Sequence, residues 1–235
     1  LQCIEAHPPS GDEWVMSLVL DREADDGRDR NALCDGLLAT ASFDRTVKVW
    51  THATVGSTQP ASFGGSWVLK RTLEGHTDGV ISLALSKSRR VIFSGSNDET
   101  IRAWVLATGA CLHEVKVGGG AVSALAWHLS SSLLVAGSED GSVTLWDVSQ
   151  LEAAAAVEAP PPRKSSPMKK LECRGGSPGT ATSATSAAVM ERVGSTSLTG
   201  ADAAPAEVVC LVASADGTAL WCGLDDGSVA LVGAS

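Results

Sequence analysis

The sequence predicts an all-β repeat protein, a propeller or a related array, and three observations predict it. Four phrases of the form apolar run, turn, alternating run recur along the chain. The turn aspartates keep a fixed distance from the end of the following run: Asp44 to Trp50, Asp98 to Trp104, Asp140 to Trp146 and Asp226 to Val232 are each six residues apart. The turns themselves read Asp-Arg-Thr-Val, Asp-Glu-Thr-Ile, Asp-Gly-Ser-Val and Asp-Gly-Ser-Val, and Asp-Gly between alternating runs is a strong hairpin signal. Self-similarity at a period of roughly 40–45 residues is the mark of propeller-like arrays.

Each element follows from its pattern. Leu1-Gln2-Cys3-Ile4 is a short apolar run, read as the last strand of a blade separated from its own first three. The first repeat, about 6–73, has strands at Trp14–Leu20, Gly36–Ser42, Thr46–Trp50 and Ser66–Leu73, with a charged insertion at Asp21–Asp35. The second, about 74–117, is the best formed: Leu73 to Trp104 carries Gly75-His76, the runs Val80–Leu85 and Val91–Phe93, and the turn at Asp98. Cys111–Val117 supplies its fourth strand. The third, about 118–193, runs through Ala121–Trp127, Leu133–Gly137 and Ser142–Asp147. The fourth, about 206–235, has Val208–Ala213, Leu220–Gly223 and Ser228–Val232, and stops before a fourth strand.

Residues 150–205 break the pattern. They are rich in Ala, Ser, Pro, Gly and Thr, a composition that buries too little apolar area to offset ordering, so mostly disorder is expected. Either 170–173 or 188–193 completes the third blade. The basic run Arg163–Lys170, with its Ser-Pro context, reads as a solvated linker or as a localisation or phosphorylation-controlled docking segment.

Composition bounds the rest. The 235 residues begin at Leu1, not Met, which predicts an excerpt or processed piece. The net charge of −9 argues against general nucleic-acid affinity, since phosphate binding needs clustered Lys and Arg. Six cysteines form no Cys-x-x-Cys pair and have no His at zinc-ligand spacing, so they read as small apolar residues of a reducing compartment. No stretch reads as a signal peptide or a long uncharged apolar span, so a soluble cytoplasmic or nuclear protein without membrane contact is expected. There are 7 Trp and no Tyr, which gives Trp a positional role in the repeat.

Gly75-His76, Ser94-Gly95-Ser96-Asn97-Asp98, Trp104 and Trp146-Asp147 resemble the WD40 repeat family. The resemblance covers most of the chain outside 150–205. It implies a WD40 β-propeller of four-stranded antiparallel blades around a channel, four of them recognisable here. They read as part of a larger ring, since that family commonly closes with about seven, or as a smaller ring closed by pairing Leu1–Ile4 with the last repeat, Val208–Val232. It also implies a structural network in each blade joining a His, a second-strand Ser or Thr, the turn Asp and the third-strand Trp. The second repeat matches with His76, Ser94, Asp98 and Trp104, the first with His7, Thr40, Asp44 and Trp50. The third keeps Asp140 and Trp146 but has Ala136 and glycines in the other places; the fourth keeps only Asp226. The first two blades are therefore expected to be the stiffest and the fourth the weakest.

The chemistry accounts for the residue types. A buried Asp needs donors, which imidazole and turn N–H groups supply, and a hydroxyl links the ring to a donor-only indole. His, Asp and Ser together also suggest a hydrolase triad, but the set recurs at turn positions and no Gly-x-Ser-x-Gly elbow is present. Gly118-Gly119-Gly120 lacks the Lys-Ser/Thr of a phosphate loop and precedes a strand. No catalysis, cofactor or metal is expected.

In the WD40 family, partners commonly bind the face made by the loops into each first strand and by the turns. By that resemblance Phe43, Asn97, Glu139 and Asp225 sit on the rim, with Arg45, Asp78 and Glu99 as neighbours by sequence. Phe43 reads either as an apolar contact anchor or as packed against the Trp14 loop. The acidic and amide residues favour a basic peptide or protein partner. A second likeness, through Leu1–Ile4, Val15-Met16-Ser17-Leu18 and Thr46–Trp50, is to plant proteins joining CCCH zinc fingers to WD40 repeats. It implies fingers upstream of Leu1, because no CCCH cluster is present, and nucleic-acid contact only through a larger protein.

Overall fold

The computed structural model describes residues 14–21, 36–53, 66–86, 88, 90–128, 132–158, 190–198, 205–214 and 219–233. Within them the chain forms four antiparallel meanders in sequence order. The first sheet is β1 (Val15–Asp21), β2 (Leu37–Ser42), β3 (Thr46–Ala53) and β4 (Ser66–Glu74). The second is β5 (Val80–Leu85), β6 (Val91–Ser96), β7 (Thr100–Val105) and β8 (Cys111–Lys116). The third is β9 (Ala124–His128), β10 (Leu133–Gly137), β11 (Ser142–Asp147) and β12 (Glu191–Ser197). The fourth has three strands, β13 (Val208–Ala213), β14 (Ala219–Leu224) and β15 (Val229–Gly233). The all-β expectation holds, with three four-stranded sheets and one three-stranded sheet among the described residues.

The core lies between the sheets, as a stack of blades requires. One cluster joins Val47, Val49 and Leu73 of the first sheet to Val80, Leu83, Ile92 and Trp104 of the second. Another joins Phe93, Ile101 and Val105 to Leu125, Leu134 and Trp146 of the third. A third joins Val135 and Val143 to Val208, Leu211 and Leu220 of the fourth. Each large side chain so buried contributes about 1.5–3 kcal/mol, and each sheet depends on its neighbours for that burial. An inner sheet is covered on both faces, so all six residues of β6 are buried. That is why Val91-Ile92-Phe93 reads as a continuous apolar run and not as an alternation.

Successive sheets meet mainly through their first strands: β1 and β2 against β5, β5 against β9, and β9 and β10 against β13. Three of these first strands carry the same irregularity. Register shifts by one residue between Val15 and Ser17, between Val80 and Ser82, and between Val208 and Cys210. A bulge at this place sharpens the local twist and re-aims the side chains beside it.

The stretch read as structureless begins with regular structure. Ser149–Glu158 is a helix, α1. Its alanines at 153–156 are the best intrinsic helix formers, and the Asp147 carboxylate caps it by accepting the Ser149 N–H at 2.8 Å. Leu151 and Ala155, one turn apart, are fully buried against the second sheet. Composition suggested disorder because two buried residues per helix are too few to stand out; the neighbouring blade supplies the rest of the core. The fourth strand of the third blade is β12, which overlaps the second of the two candidate stretches and runs on to Ser197, past the boundary expected at 193. Residues 170–173, the basic run at 163–170, the strand at 1–4, His7 and most of the charged insertion lie outside the described residues.

The turn rim and the network beneath it

All four turns are built alike. The turn Asp accepts the backbone N–H two residues on: Asp44 from Thr46 at 2.9 Å, Asp98 from Thr100 at 3.0 Å, Asp140 from Ser142 at 2.9 Å and Asp226 from Ser228 at 2.8 Å. The residue between them is left-handed, with φ of 69° at Arg45, 66° at Glu99, 81° at Gly141 and 83° at Gly227. Glycine adopts this conformation freely, whereas Arg45 and Glu99 do so at a cost.

The residue before each turn Asp is tied to the loop leading into its own blade. Phe43 donates its N–H to Trp14 O at 3.2 Å, Asn97 to Gly79 O at 2.9 Å, Glu139 to Ala121 O at 3.0 Å and Asp225 to Glu207 O at 3.1 Å. These four bonds place the predicted rim residues on one edge, at equivalent positions. Arg45, Asp78, Glu139 and Asp225 are exposed, and Asn97 and Phe43 are half-buried.

Beneath the rim, the second blade holds the full network. The Asp98 carboxylate can only accept, so His76 Nδ1 carries the proton and donates to Asp98 Oδ2 at 2.9 Å. His76 Nε2 then accepts from the Ser94 hydroxyl at 2.7 Å, and Ser94 Oγ accepts the Trp104 Nε1–H at 2.8 Å. Asp98 also accepts from Thr77 N–H at 2.9 Å and from the Thr100 hydroxyl at 2.6 Å. Burial alone would raise the Asp98 pKa, but the bonds from Thr100, Thr77 and His76 outweigh it and hold it at about 2. Burial pushes His76 below its ordinary value despite the opposing pull of Asp98.

The other blades keep part of this arrangement. In the first, Trp50 Nε1–H donates to Thr40 Oγ1 at 3.2 Å, and the Thr46 hydroxyl joins Asp44 at 2.7 Å. In the third, Ala136 offers no hydroxyl, and Thr144 takes over by accepting the Trp146 Nε1–H at 2.9 Å. Sequence reasoning missed Thr144, although a hydroxyl two residues before the Trp was there to be read. Where a His would stand, Gly118, Gly119 and Gly120 take φ of 71°, 117° and 86°. The loop runs so close to the turn that a Cβ at Gly119 would lie 2.6 Å from the Asp140 carboxylate. In the fourth, Cys222 is buried, its thiol pushed up to about 11 by burial, and Val232 replaces the Trp.

Phe43 also makes a contact across the blades that neither reading of it named. Its ring lies on Gly79 of the second blade, where a Cβ would come within 2.9 Å of Phe43 Cε1. Its backbone N–H bonds to Trp14 O at 3.2 Å. Glu207, which the sequence did not single out, joins the rim between the third and fourth blades. Its N–H donates to Asp225 Oδ1 at 3.0 Å, and its own pKa is raised by burial first and then by Glu139 and Asp225. Negative potential therefore collects at this edge.

The recurring Asp-to-Trp hairpins and the His76–Ser94–Trp104 relay have a counterpart among known proteins. The family model described as "WD domain, G-beta repeat" matches residues 2–51, 67–104 and 109–147, together more than half of the chain. The chain belongs to the WD40 repeat family. Among curated relatives it is 31% identical over 111 residues to the WD repeat-containing protein 26 homolog of Arabidopsis thaliana, covering 47% of this chain and 17% of that protein. It is 31% identical over 122 residues to apoptotic protease-activating factor 1 of Rattus norvegicus, covering 52% and 9%. It is 28% identical over 148 residues to the probable coatomer subunit beta' of Schizosaccharomyces pombe, covering 62% and 15%. The matched stretch thus spans less than a fifth of each of these relatives. WD40 repeats in general serve as protein-interaction scaffolds. Among the described residues no helix is long and apolar enough to cross a membrane, and no group of three or more His, Cys, Asp or Glu is placed to hold a metal ion.

Proposed function

We propose that this WD40 chain binds protein or peptide partners of basic character along the rim formed by Arg45, Asp78, Asn97, Glu139 and Asp225, without catalysing a reaction. The observation that carries this reading is the placing of Glu139 and Asp225 at equivalent turn positions, with Glu207 tied to Asp225 by two bonds, its N–H to Asp225 Oδ1 at 3.0 Å and its carbonyl to the Asp225 N–H at 3.1 Å; after burial, Glu139 and Asp225 both raise the Glu207 pKa. A Lys or Arg side chain entering there would relieve that repulsion and gain charge-assisted hydrogen bonds. Phe43 contributes indirectly, by holding the first two blades' turns at a fixed separation. The net charge of −9 disfavours direct contact with nucleic acid, and a cytoplasmic or nuclear location suits such a scaffold. The relatives include a coatomer subunit, which supports a role within an assembly.

The test is binding of a panel of lysine- and arginine-rich peptides, followed by fluorescence anisotropy at rising salt. Glu139→Lys combined with Asp225→Lys should abolish the interaction while the protein stays folded. Salt-insensitive binding that both reversals leave unchanged would overturn the reading.

A further inference from the structure

The third blade keeps part of the setting of the His76 network but not the side chain that fills it. Gly118 stands at the place of His76, three residues before Ala121, whose carbonyl takes the Glu139 N–H as Gly79 takes that of Asn97. Asp98 accepts from Thr77, from His76 and from both the N–H and the hydroxyl of Thr100. Among the described residues Asp140 accepts only the Ser142 N–H.

Two hydroxyls are stranded beside it. In the second blade Ser96 Oγ donates to Gly79 O at 2.8 Å and accepts the Asp98 N–H at 3.1 Å; in the first, Ser42 Oγ accepts the Asp44 N–H at 3.2 Å. Ser138 holds the same place and is fully buried, yet its Oγ has no partner among the described residues. The Asp140 N–H turns to Gly119 O at 3.1 Å instead. Ser142 Oγ is buried without a partner too, where Thr100 Oγ1 donates to Asp98 at 2.6 Å. Ser138 donates its N–H to Ser142 O at 2.9 Å, so the two are cross-strand neighbours with side chains on one face. Alternation assigns that face: Ala136 and Trp146 share it and pack toward the second blade, whereas Gly137 and Val143 turn to the fourth. Loop 118–120 passes over the same end of the blade, close enough that a Cβ on Gly119 would lie 2.6 Å from Asp140 Oδ2.

Buried hydroxyls without partners disfavour this closed arrangement, because each has given up its bonds to water. Three successive glycines with positive φ give the loop the freedom to leave it. A Cβ on Gly118 would meet nothing within 4 Å, so open space lies on the outer side.

We propose that loop 118–120 is a strap over a ligand site, and that lifting it admits a lysine ammonium of the basic partner to Asp140, Ser138 and Ser142. The inference rests on the rim as the place for basic partners and names the side chain that anchors them. An ammonium has three donors and no acceptor, and the site offers a carboxylate and two hydroxyl oxygens to receive them. The planar fork of arginine is larger and suits a flat pair of acceptors, so lysine is the better fit.

The test uses the full chain with n-butylammonium chloride as the probe. Tetramethylammonium chloride, which cannot donate, serves as the control at equal ionic strength. The Trp146 indole N–H, bonded to Thr144 on the face that Ser142 shares, is the NMR reporter. Its signal should shift to saturation with the first salt and stay in place with the second. Asp140→Asn keeps an acceptor for the Ser142 N–H but loses the charge, so amine affinity should fall roughly tenfold, the loss of one charge-assisted bond. Ser138→Ala removes a buried hydroxyl without a partner, so it should raise the unfolding midpoint while weakening amine binding. A lysine peptide should bind more tightly than its arginine counterpart, and Asp140→Asn should erase the difference. A Trp146 signal that butylammonium leaves unmoved would overturn the site. Peptides that lose binding with Glu139→Lys and Asp225→Lys, yet bind alike as lysine or arginine versions and ignore Asp140→Asn, would overturn this inference and leave the rim reading standing. A butylammonium response with no basic peptide bound would overturn the rim reading, and the partner's lysine with it.

Discussion

The ring of Phe43, on the turn of the first blade, rests on Gly79 in the loop that opens the second, close enough that a Cβ at Gly79 would fall 2.9 Å from Phe43 Cε1. The contact crosses a blade junction at the rim, above the buried cluster that holds the same two sheets together. Gly79 is itself buried and takes the Asn97 N–H through its carbonyl, so it cannot retreat from the ring without loosening the second turn.

Gly79→Ala should therefore destabilise the protein by about 1–3 kcal/mol, the usual cost of forcing a methyl into packed surroundings. Phe43→Ala alone also destabilises, by loss of contact area. The double variant should be more stable than the sum of the two predicts, because removing the ring makes room for the methyl. Urea unfolding of the four proteins measures the coupling; strict additivity would mean that ring and glycine do not touch in solution.

The hydroxyl under each Trp separates two kinds of blade. Ser94→Ala leaves the Trp104 N–H and the His76 Nε2 without partners in a buried site, which costs about 1–3 kcal/mol. Thr144→Val orphans the Trp146 N–H, gives up the long bond of the Thr144 hydroxyl to Ala136 O at 3.4 Å and keeps the side-chain volume, so its cost should sit at the lower end of that range. Ala136→Ser would offer Trp146 a second acceptor at the place Ser94 occupies in the second blade. It should recover part of the stability lost in Thr144→Val and do little alone. Thermal unfolding of the single and paired variants distinguishes these outcomes.

Stability should fall on acidification in two stages. His76 has a depressed pKa in the folded protein, so below its ordinary value of 6.5 the unfolded chain takes up a proton that the folded one resists. Its contribution is complete above that pH and is lost as pH falls toward the depressed value. Asp98 is held at about 2 against an ordinary 3.8, so its contribution is present above 3.8 and is lost between 3.8 and 2. Denaturation midpoints taken from pH 8 to pH 3 should show the first stage vanish in His76→Gln. A wild-type profile flat between pH 7 and pH 5 would contradict the burial of a neutral imidazole.

What the sequence disclosed and what it hid follow from one distinction. The repeat, the turns and the relay of His76, Ser94, Asp98 and Trp104 were legible because they depend on residue types at fixed short spacings. The side-chain partners across blades were not. Phe43 and Gly79 are 36 positions apart and belong to different repeats, so no periodicity links them, and an apolar residue at a turn reads equally well as a contact anchor. The helix at Ser149–Glu158 was hidden for a related reason: Leu151 and Ala155 find their apolar surroundings on the preceding blade. Thr144 was overlooked because the search fixed on the second strand, whereas a third-strand hydroxyl reaches the same indole.

The left-handed turn residues connect stability with the rim. Gly141 and Gly227 occupy that conformation without strain, whereas Arg45 and Glu99 carry about 1–2 kcal/mol each for it. Arg45→Gly removes that strain and adds roughly 0.5–1 kcal/mol of unfolded-state freedom, so a small net gain in stability is expected. Glu99→Gly gives up an ion pair with Lys116 at 3.0 Å as well. Both partners are exposed and such pairs contribute about 0–1 kcal/mol, so the net change there should be near zero. Arg45 is a cation on a rim proposed to take basic partners, so Arg45→Gly should raise the unfolding midpoint and leave the peptide interaction unweakened, while Glu99→Gly moves the midpoint little. A rise in stability with diminished peptide affinity would show that Arg45 touches the partner through something other than charge and would weaken the case for the carboxylates as the working part of the rim.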